Sequence, residues 1–211
     1  MWNDDTVKEF WDSNKASYAG EVNSKEIIRL SRKYIKGKVL DVGAGSGALI
    51  ELVPHSVGID ISPKDSRIIK ASISSLPFDN CSFDVVFACD ILEHLSDDTL
   101  VKGMQEIRRV LKNNGILIIN TPYYEDLNQE LVYCPNCKAN FHRWGHLQSF
   151  NSERIFSMIK LFSFGLVKYE LLPLGFMAKY SLVRYFWRIF VHIGLIKASD
   201  IYLVLKKNAD N

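Results

Sequence analysis

The feature that most limits how this chain can fold is a short apolar run, Lys38 to Val42, that passes without a break into Gly43-Ala44-Gly45-Ser46-Gly47. The run predicts a strand, and Ala48 to Leu52 after the glycines predicts a helix. Glycines between a strand and a helix let the chain reverse tightly and leave the backbone open to close approach by a ligand. The N–H groups that open the following helix would point at such a ligand. A second apolar run, Ser56 to Ile61, carries Asp60, 17 residues beyond Gly43. That is where an adenosine ribose presents its hydroxyls to a carboxylate.

The rest of the chain repeats the pattern. Ile68 to Ala71 predicts a third strand and Ser82 to Ala88, written Phe-Asp-Val-Val-Phe, a fourth. Asp97 or Asp98 is the expected cap of a helix through Leu111, stopped by Asn113-Asn114-Gly115, and Ile116 to Asn120 is nearly pure Ile/Leu. Buried parallel strands have this composition because helices cover both faces. Upstream, Val7 to Tyr18 and Lys25 to Ile35, capped by Ser24, predict two helices. Downstream, Asn151 or Ser152 caps a helix to Leu161, and Gly165 to Leu172 and Ile201 to Leu205 predict the last strands. Alternating strands and helices imply an α/β fold with an open, mostly parallel sheet. At 211 residues, the chain suits one domain, 1–211. It carries a polar Cys/His-containing loop at 121–150 and an aromatic helical insertion at 174–198.

On the glycine turn alone, a nicotinamide dinucleotide and a methyl donor stand level, since Gly43, Gly45 and Ala48 satisfy G-x-G-x-x-G/A. A turn that binds nothing is the third reading. Later motifs separate these. Val39-Leu40-Asp41-Val42-Gly43-Ala44-Gly45-Ser46-Gly47, Gly58-Ile59-Asp60, Leu76-Pro77-Phe78, Phe83-Asp84-Val85-Val86, Asp90-Ile91-Leu92-Glu93-His94-Leu95 and Val110-Leu111-Lys112-Asn113-Asn114-Gly115 occur in that order. Taken together, the sequence from about Trp11 to Lys160 resembles the class I S-adenosylmethionine-dependent methyltransferases, within the broad group that includes ubiquinone-biosynthesis O-methyltransferases. The resemblance implies a Rossmann-like seven-stranded sheet of order 3-2-1-4-5-7-6 with an antiparallel last strand. It implies that Asp41, Gly43, Ala44, Gly45 and Gly47 hold the methionine end of the cofactor, Asp60 the ribose and Ile61 the adenine ring. Asp90 would line the site near the sulfonium, and Tyr18 would close over the methionine end. An acid usually stands four residues before the Leu-Pro-Phe segment to meet the adenine amino group. Here it is Ser72, which leaves adenine to the Ile73 backbone and apolar packing.

Methyl transfer from a sulfonium is an in-line displacement in which the protein positions a nucleophile and removes its proton. His94, Glu93 and His146 are the candidate bases. The expected acceptor is a small molecule methylated at oxygen, such as a sugar, a quinone or phenol, or a lipid-like compound. A NAD(P)-dependent oxidoreductase and a non-catalytic binding protein of the same fold are the alternatives. Two metal sites compete for His146. Relatives with an acid-x-x-Glu-His run and a later His bind a divalent cation, which here would sit on Glu93, His94 and His146. Cys134, Cys137, His142 and His146, at C-x2-C-x4-H-x3-H spacing, would instead enclose a structural zinc.

Net charge is +2, too small by itself to imply nucleic acid, which is disfavoured as a partner. The charge is uneven: from Arg154 onward nine Lys/Arg face three acids. Within that half, 176–196 is apolar and aromatic with Arg184 and Arg188 one turn apart. A lid, a homodimer helix, core packing or a membrane surface would each use it. The acidic start of the chain is not signal-like, no run reaches a membrane-spanning length and the cysteines read as reduced, so cytoplasm is the expected compartment.

Overall fold

A computed structural model describes residues 4–13, 19–136, 138–180 and 184–209. The chain forms a seven-stranded sheet. In chain order the strands are β1 (Val39–Val42), β2 (Val57–Asp60), β3 (Ile69–Lys70), β4 (Phe83–Cys89), β5 (Leu111–Pro122), then, after a separate hairpin of β6 (Leu131–Tyr133) and β7 (Asn140–His142), β8 (Phe164–Leu172) and β9 (Asp200–Lys207). The sheet order is β3-β2-β1-β4-β5-β9-β8. Counting sheet strands only, this is the expected 3-2-1-4-5-7-6. β1 to β5 pair in parallel, and β9 runs antiparallel to both β5 and β8.

Side chains of the central strands alternate between two cores, as the two-residue strand period requires. Leu40, Val42, Val86, Ala88, Leu117 and Ile119 face α4 (Asp97–Val110) and α5 (Ser152–Leu161). Val39, Val85, Phe87, Ile116, Ile118 and Tyr202 face α2 (Ala19–Ser31), α3 (Ala48–Leu52) and α6 (Leu174–Lys179). With both faces covered, apolar runs replace the alternation of a half-exposed sheet.

Several boundaries differ from the sequence expectation. The cap of α4 is Ser96, whose Oγ accepts from Thr99 N at 3.3 Å; Asp97 and Asp98 occupy the first turn, where their charge suits the exposed N–H groups. Asn113-Asn114-Gly115 does not stop the helix. α4 ends at Val110, and the triplet bulges within β5: β4 pairs Phe83 with Leu111 but Val85 with Ile116. Asn114 takes a left-handed φ of 62°, and a Cβ on Gly115 would lie 2.8 Å from Lys112 O. Ser24 lies inside α2 rather than at its start. The β6–β7 hairpin had no readable pattern, because three-residue strands are too short to show a period. The insertion forms α6 and a second helix, α7 (Arg184–His192). Among the described residues no helix is long and apolar enough to cross a membrane.

Candidate active site

The turn after β1 is built for close approach. Gly43 and Gly45 have φ of 83° and 51°, in the region that disfavours side chains. A Cβ on Gly43 would fall 2.7 Å from Ile91 Cδ1. Gly43 N and Ala44 N both donate to Ile59 O at 2.9 Å, which ties the turn to β2. Asp60, at the tip of β2, accepts from Gly45 N (2.9 Å) and from Ser62 N (2.7 Å). Each carboxylate oxygen keeps further acceptor capacity for a ligand. Gly47 adopts φ 85° and caps α3. Since α3 has only five residues, the turn itself, rather than a long helix dipole, shapes the site.

A cleft of about 750 Å³, counted to its open mouth, lies over this turn. Gly43, Gly45, Asp60 and Ile61 line one side, Ser72 and Ile73 the next, and Asp90 and His94 the far end. Asp41, Ala44 and Gly47 lie behind or beside it, and Tyr18 lies outside the described residues. Sequence reasoning missed Trp11, Ile59, Ala71, Ile91, Leu95 and Thr99, which complete the walls. Trp11 comes from α1 (Asp4–Ser13), stands edge-on to His94 at 5.0 Å between ring centroids and is held by Lys64 Nζ on its carbonyl (2.8 Å). No local pattern marks it, because the contact joins residues 83 positions apart in the sequence.

Buried acids collect at the end of the cleft. Burial, reinforced by the charge of Asp60, pushes Asp41 up to about 7. Burial and then the charge of Asp200 raise Asp90 to about 6, against the pull of a 2.6 Å hydrogen bond from Asn120 Nδ2. Burial and then Asp90 push Glu93 well above the usual carboxylate range; its Oε2 accepts from Thr121 Oγ1 at 3.0 Å. Asp90 has a left-handed φ of 52°, and its Oδ2 and the Oδ1 of Asn120 are buried without a hydrogen-bond partner. Unsatisfied buried acceptors cost free energy that a cationic or hydrogen-bonding ligand would recover.

Hydrogen bonding sorts the three histidines. His94 Nδ1 meets Gly145 O at 3.2 Å; a carbonyl only accepts, so the ring proton is on Nδ1 and Nε2 keeps a lone pair. Burial, followed by the charge of His146, lowers His94 to about 3 and keeps it neutral. His146 Nδ1 meets Glu125 Oε2 at 2.6 Å, which likewise leaves Nε2 free to accept. His142 Nδ1 accepts from His146 N at 3.3 Å, so its own proton sits on Nε2, 3.6 Å from Glu125 Oε1. The rings meet in series, His94 edge-on to His146 at 4.8 Å and His146 stacked on His142 at 4.6 Å.

Two triads have ligand atoms within 4.8 Å of one another: Glu93, His94 and His146, and Glu125, His142 and His146. The tautomers favour the first, where two imidazole lone pairs join a carboxyl group. In the second, His142 offers a protonated nitrogen. The expected zinc set of Cys134, Cys137, His142 and His146 does not come together among the described residues. Cys134 follows β6 and pairs with Ala139 across the hairpin, three residues along the strand from His142. Cys134 is not in either of the groups whose ligand atoms lie within 4.8 Å of one another. Cys137 lies outside the described residues.

Residues 40–119 match the family model described as a methyltransferase domain. An uncharacterized protein of Methanocaldococcus jannaschii is 34% identical over 129 residues, 56% of each chain. The ubiquinone/menaquinone biosynthesis C-methyltransferase of Citrifermentans bemidjiense is 32% identical over 120 residues, 43% of this chain and 50% of that one. The chain thus spans about half the length of the curated relatives it matches. A SAM-dependent methyltransferase from Archaeoglobus fulgidus superposes with a TM-score of 0.62 at 20% identity, over 94% of this chain and 98% of that one. Motif order, fold and family match agree: residues 40–119 match a methyltransferase domain, and the chain has the fold of the S-adenosylmethionine-dependent methyltransferase from Archaeoglobus fulgidus.

Proposed function

We propose that the protein transfers a methyl group from S-adenosylmethionine to a small-molecule acceptor, at oxygen, with residues 1–211 acting as one domain. The observation that carries this is the cleft that runs from the glycine turn and Asp60 to the unpartnered Oδ2 of Asp90. In this reading Asp60 holds the ribose, Ile61 and Ile73 flank the adenine, and Asp41 with the turn holds the methionine end. When bound, the cofactor supplies a methyl already activated on a sulfonium. The chain's own task is to align an acceptor and take its proton. His146 suits that task, because Glu125 Oε2 on its Nδ1 leaves Nε2 accepting; His94, which burial makes a weak base, helps orient the acceptor through its own Nε2. Burial pushes the Glu93 carboxyl well above the usual carboxylate range, and its Oε2 is already engaged by Thr121 Oγ1, so it shapes the base site. A hydroxyl acceptor, whether on a sugar, a phenol or a lipid-like compound, matches an imidazole acceptor of protons.

Titration calorimetry with S-adenosylhomocysteine and with NADH tests the reading. Binding of the first and not the second is expected. Binding of NADH alone would replace this reading with a nicotinamide oxidoreductase, and an empty cleft with both would favour a non-catalytic binding protein. The adenine assignment has its own test. Ser72 Oγ is shared with Ser74 Oγ at 2.9 Å rather than offered as a charge. Ser72→Asp should tighten S-adenosylhomocysteine about fivefold, the margin of a charged over a neutral hydrogen bond. Weaker binding by the variant would show that Ser72 does not face the adenine amino group.

A second reading adds a divalent cation on Glu93, His94 and His146, favoured by the grouping of their ligand atoms. There it would lower an acceptor hydroxyl's pKa and orient it. Either way Glu125 acts through His146. Glu125→Gln keeps the hydrogen-bonding shape but removes the charge, so kcat should fall about 10- to 100-fold with KM little changed. An unaltered kcat would make Glu125 merely structural. Elemental analysis of wild type and His94→Ala separates a metal site from a metal-free pair.

A further inference from the structure

Helix α7 is apolar on two faces, and only one of them is covered. Trp187, Phe190 and Val191 turn inward, with the Trp187 ring against Phe176 at 5.3 Å and against Tyr180 at 5.8 Å. Arg188 is ion-paired to Glu170 of β8. On the other face Tyr185, Phe186, Ile189 and Ile193 recur at helical spacing, and with Phe176 and Leu195 each leaves half or more of its surface open to water. A run of this kind is unusual on a soluble surface, where apolar residues are scattered singly.

The surrounding charge says what covers it. From Leu171 to Ser199 there is no acid, while Lys179, Arg184, Arg188 and Lys197 are basic. A two-fold contact with a second copy would set two like-charged patches against each other, at a cost. An anionic bilayer surface accepts both features, with aromatic and aliphatic side chains entering the headgroup boundary and lysines meeting lipid phosphates. The patch also adjoins the cleft. Leu174 N, at the start of α6, donates to Asp200 Oδ2 at 3.3 Å, and Asn120 Nδ2 reaches both Asp200 Oδ1 (3.4 Å) and Asp90 Oδ1 (2.6 Å).

We propose that α6 and α7 form a docking face for an anionic lipid surface, with α7 lying in the plane of the interface. The inference stands on the exposed face and its charge, and it holds whichever acceptor the cleft takes. Sedimentation of the full chain with phosphatidylcholine vesicles, with and without phosphatidylglycerol, tests it without any methyl donor. The wild-type chain should pellet with the anionic vesicles and much less with the neutral ones, and raised salt should release it. Phe186→Asp with Ile189→Asp should lower the bound fraction at least tenfold, on the order of two buried apolar side chains, while leaving Tm unchanged because both residues are exposed. Lys179→Glu with Lys197→Glu should also weaken binding, by about tenfold, and only on anionic vesicles. Failure to pellet with either vesicle would overturn the proposal. So would light scattering that shows a dimer dissociated by Phe186→Asp with Ile189→Asp.

Discussion

Replacing Asp60 with alanine should weaken S-adenosylhomocysteine binding by about 100-fold or more, with little loss of fold. The carboxylate has two duties in one place. It receives Gly45 N–H and Ser62 N–H, which fixes the glycine turn against β2, and its remaining lone pairs face the cleft. A hydrogen bond to a charged group contributes about 1.5 to 3 kcal/mol, and a ribose offers two hydroxyls. Losing even one such bond and part of the turn's order therefore amounts to about 3 kcal/mol, or two decades in Kd. Asp60→Asn should fall between, because an amide oxygen accepts but carries no charge. Titration calorimetry measures both. Wild-type affinity in Asp60→Ala would remove the ribose from this end of the cleft and with it the proposed pose. The core below is separate from the effect: Ile59 and Gly58 keep β2 in register with Val42 and Asp41 of β1.

The second large effect is on stability, and its sign follows from burial. Asp41 sits in β1 with its carboxyl raised from 3.8 to about 7. In the unfolded chain it loses its proton near pH 4, whereas in the fold it keeps it until about pH 7. A raised acid contributes stability that is complete below the unfolded pKa and is lost as pH rises through the folded value. Stability of the ligand-free protein should therefore fall between about pH 4 and pH 7. Asp41 alone would account for at most about 4 kcal/mol, from some three units at about 1.4 kcal/mol each. Asp90, raised to about 6, steepens the lower part of that window, and Glu93 acts in the same direction. Asp41→Asn takes away the first share. Its Tm should match wild type near pH 4 and exceed it by several degrees at pH 8, while its affinity for the cofactor drops. A Tm difference that stays constant from pH 4 to pH 8 would mean Asp41 is ionised in the fold throughout. The cost is consistent with function: acids held against their preference in a dry cleft are stabilised by a cationic sulfonium more than by the neutral thioether left after transfer. The same acids thereby favour donor over product.

How much of this was legible in the chain depended on the range of the interactions involved. The parallel core was readable because two covered faces leave only apolar residues to choose, as in Val85-Val86-Phe87-Ala88 and Ile116-Leu117-Ile118-Ile119. The cleft floor was readable too. A glycine turn and an acid at the next strand tip are fixed by backbone geometry within about 20 residues, and Gly43, Gly45, Asp60, Ile61, Ser72, Ile73 and Asp90 all line the cleft. Local spacing misled where distant partners decide. Cys134 and His142 look close by count, yet the hairpin holds them apart along its length. His146 read equally as a ligand of that loop and of the cleft, and it is Glu125 on its Nδ1 and the His94 ring beside it that orient it. Trp11 over His94, the orphaned oxygen of Asp90 and the uncovered face of α7 have no local signature at all. Backbone conformation and solvent exclusion act between neighbours and along a repeat, so residue order alone specifies the sheet and the turn. Burial of a charge, the tautomer of a ring and the exposure of a helix face depend on which distant segments meet, and only the folded chain decides those.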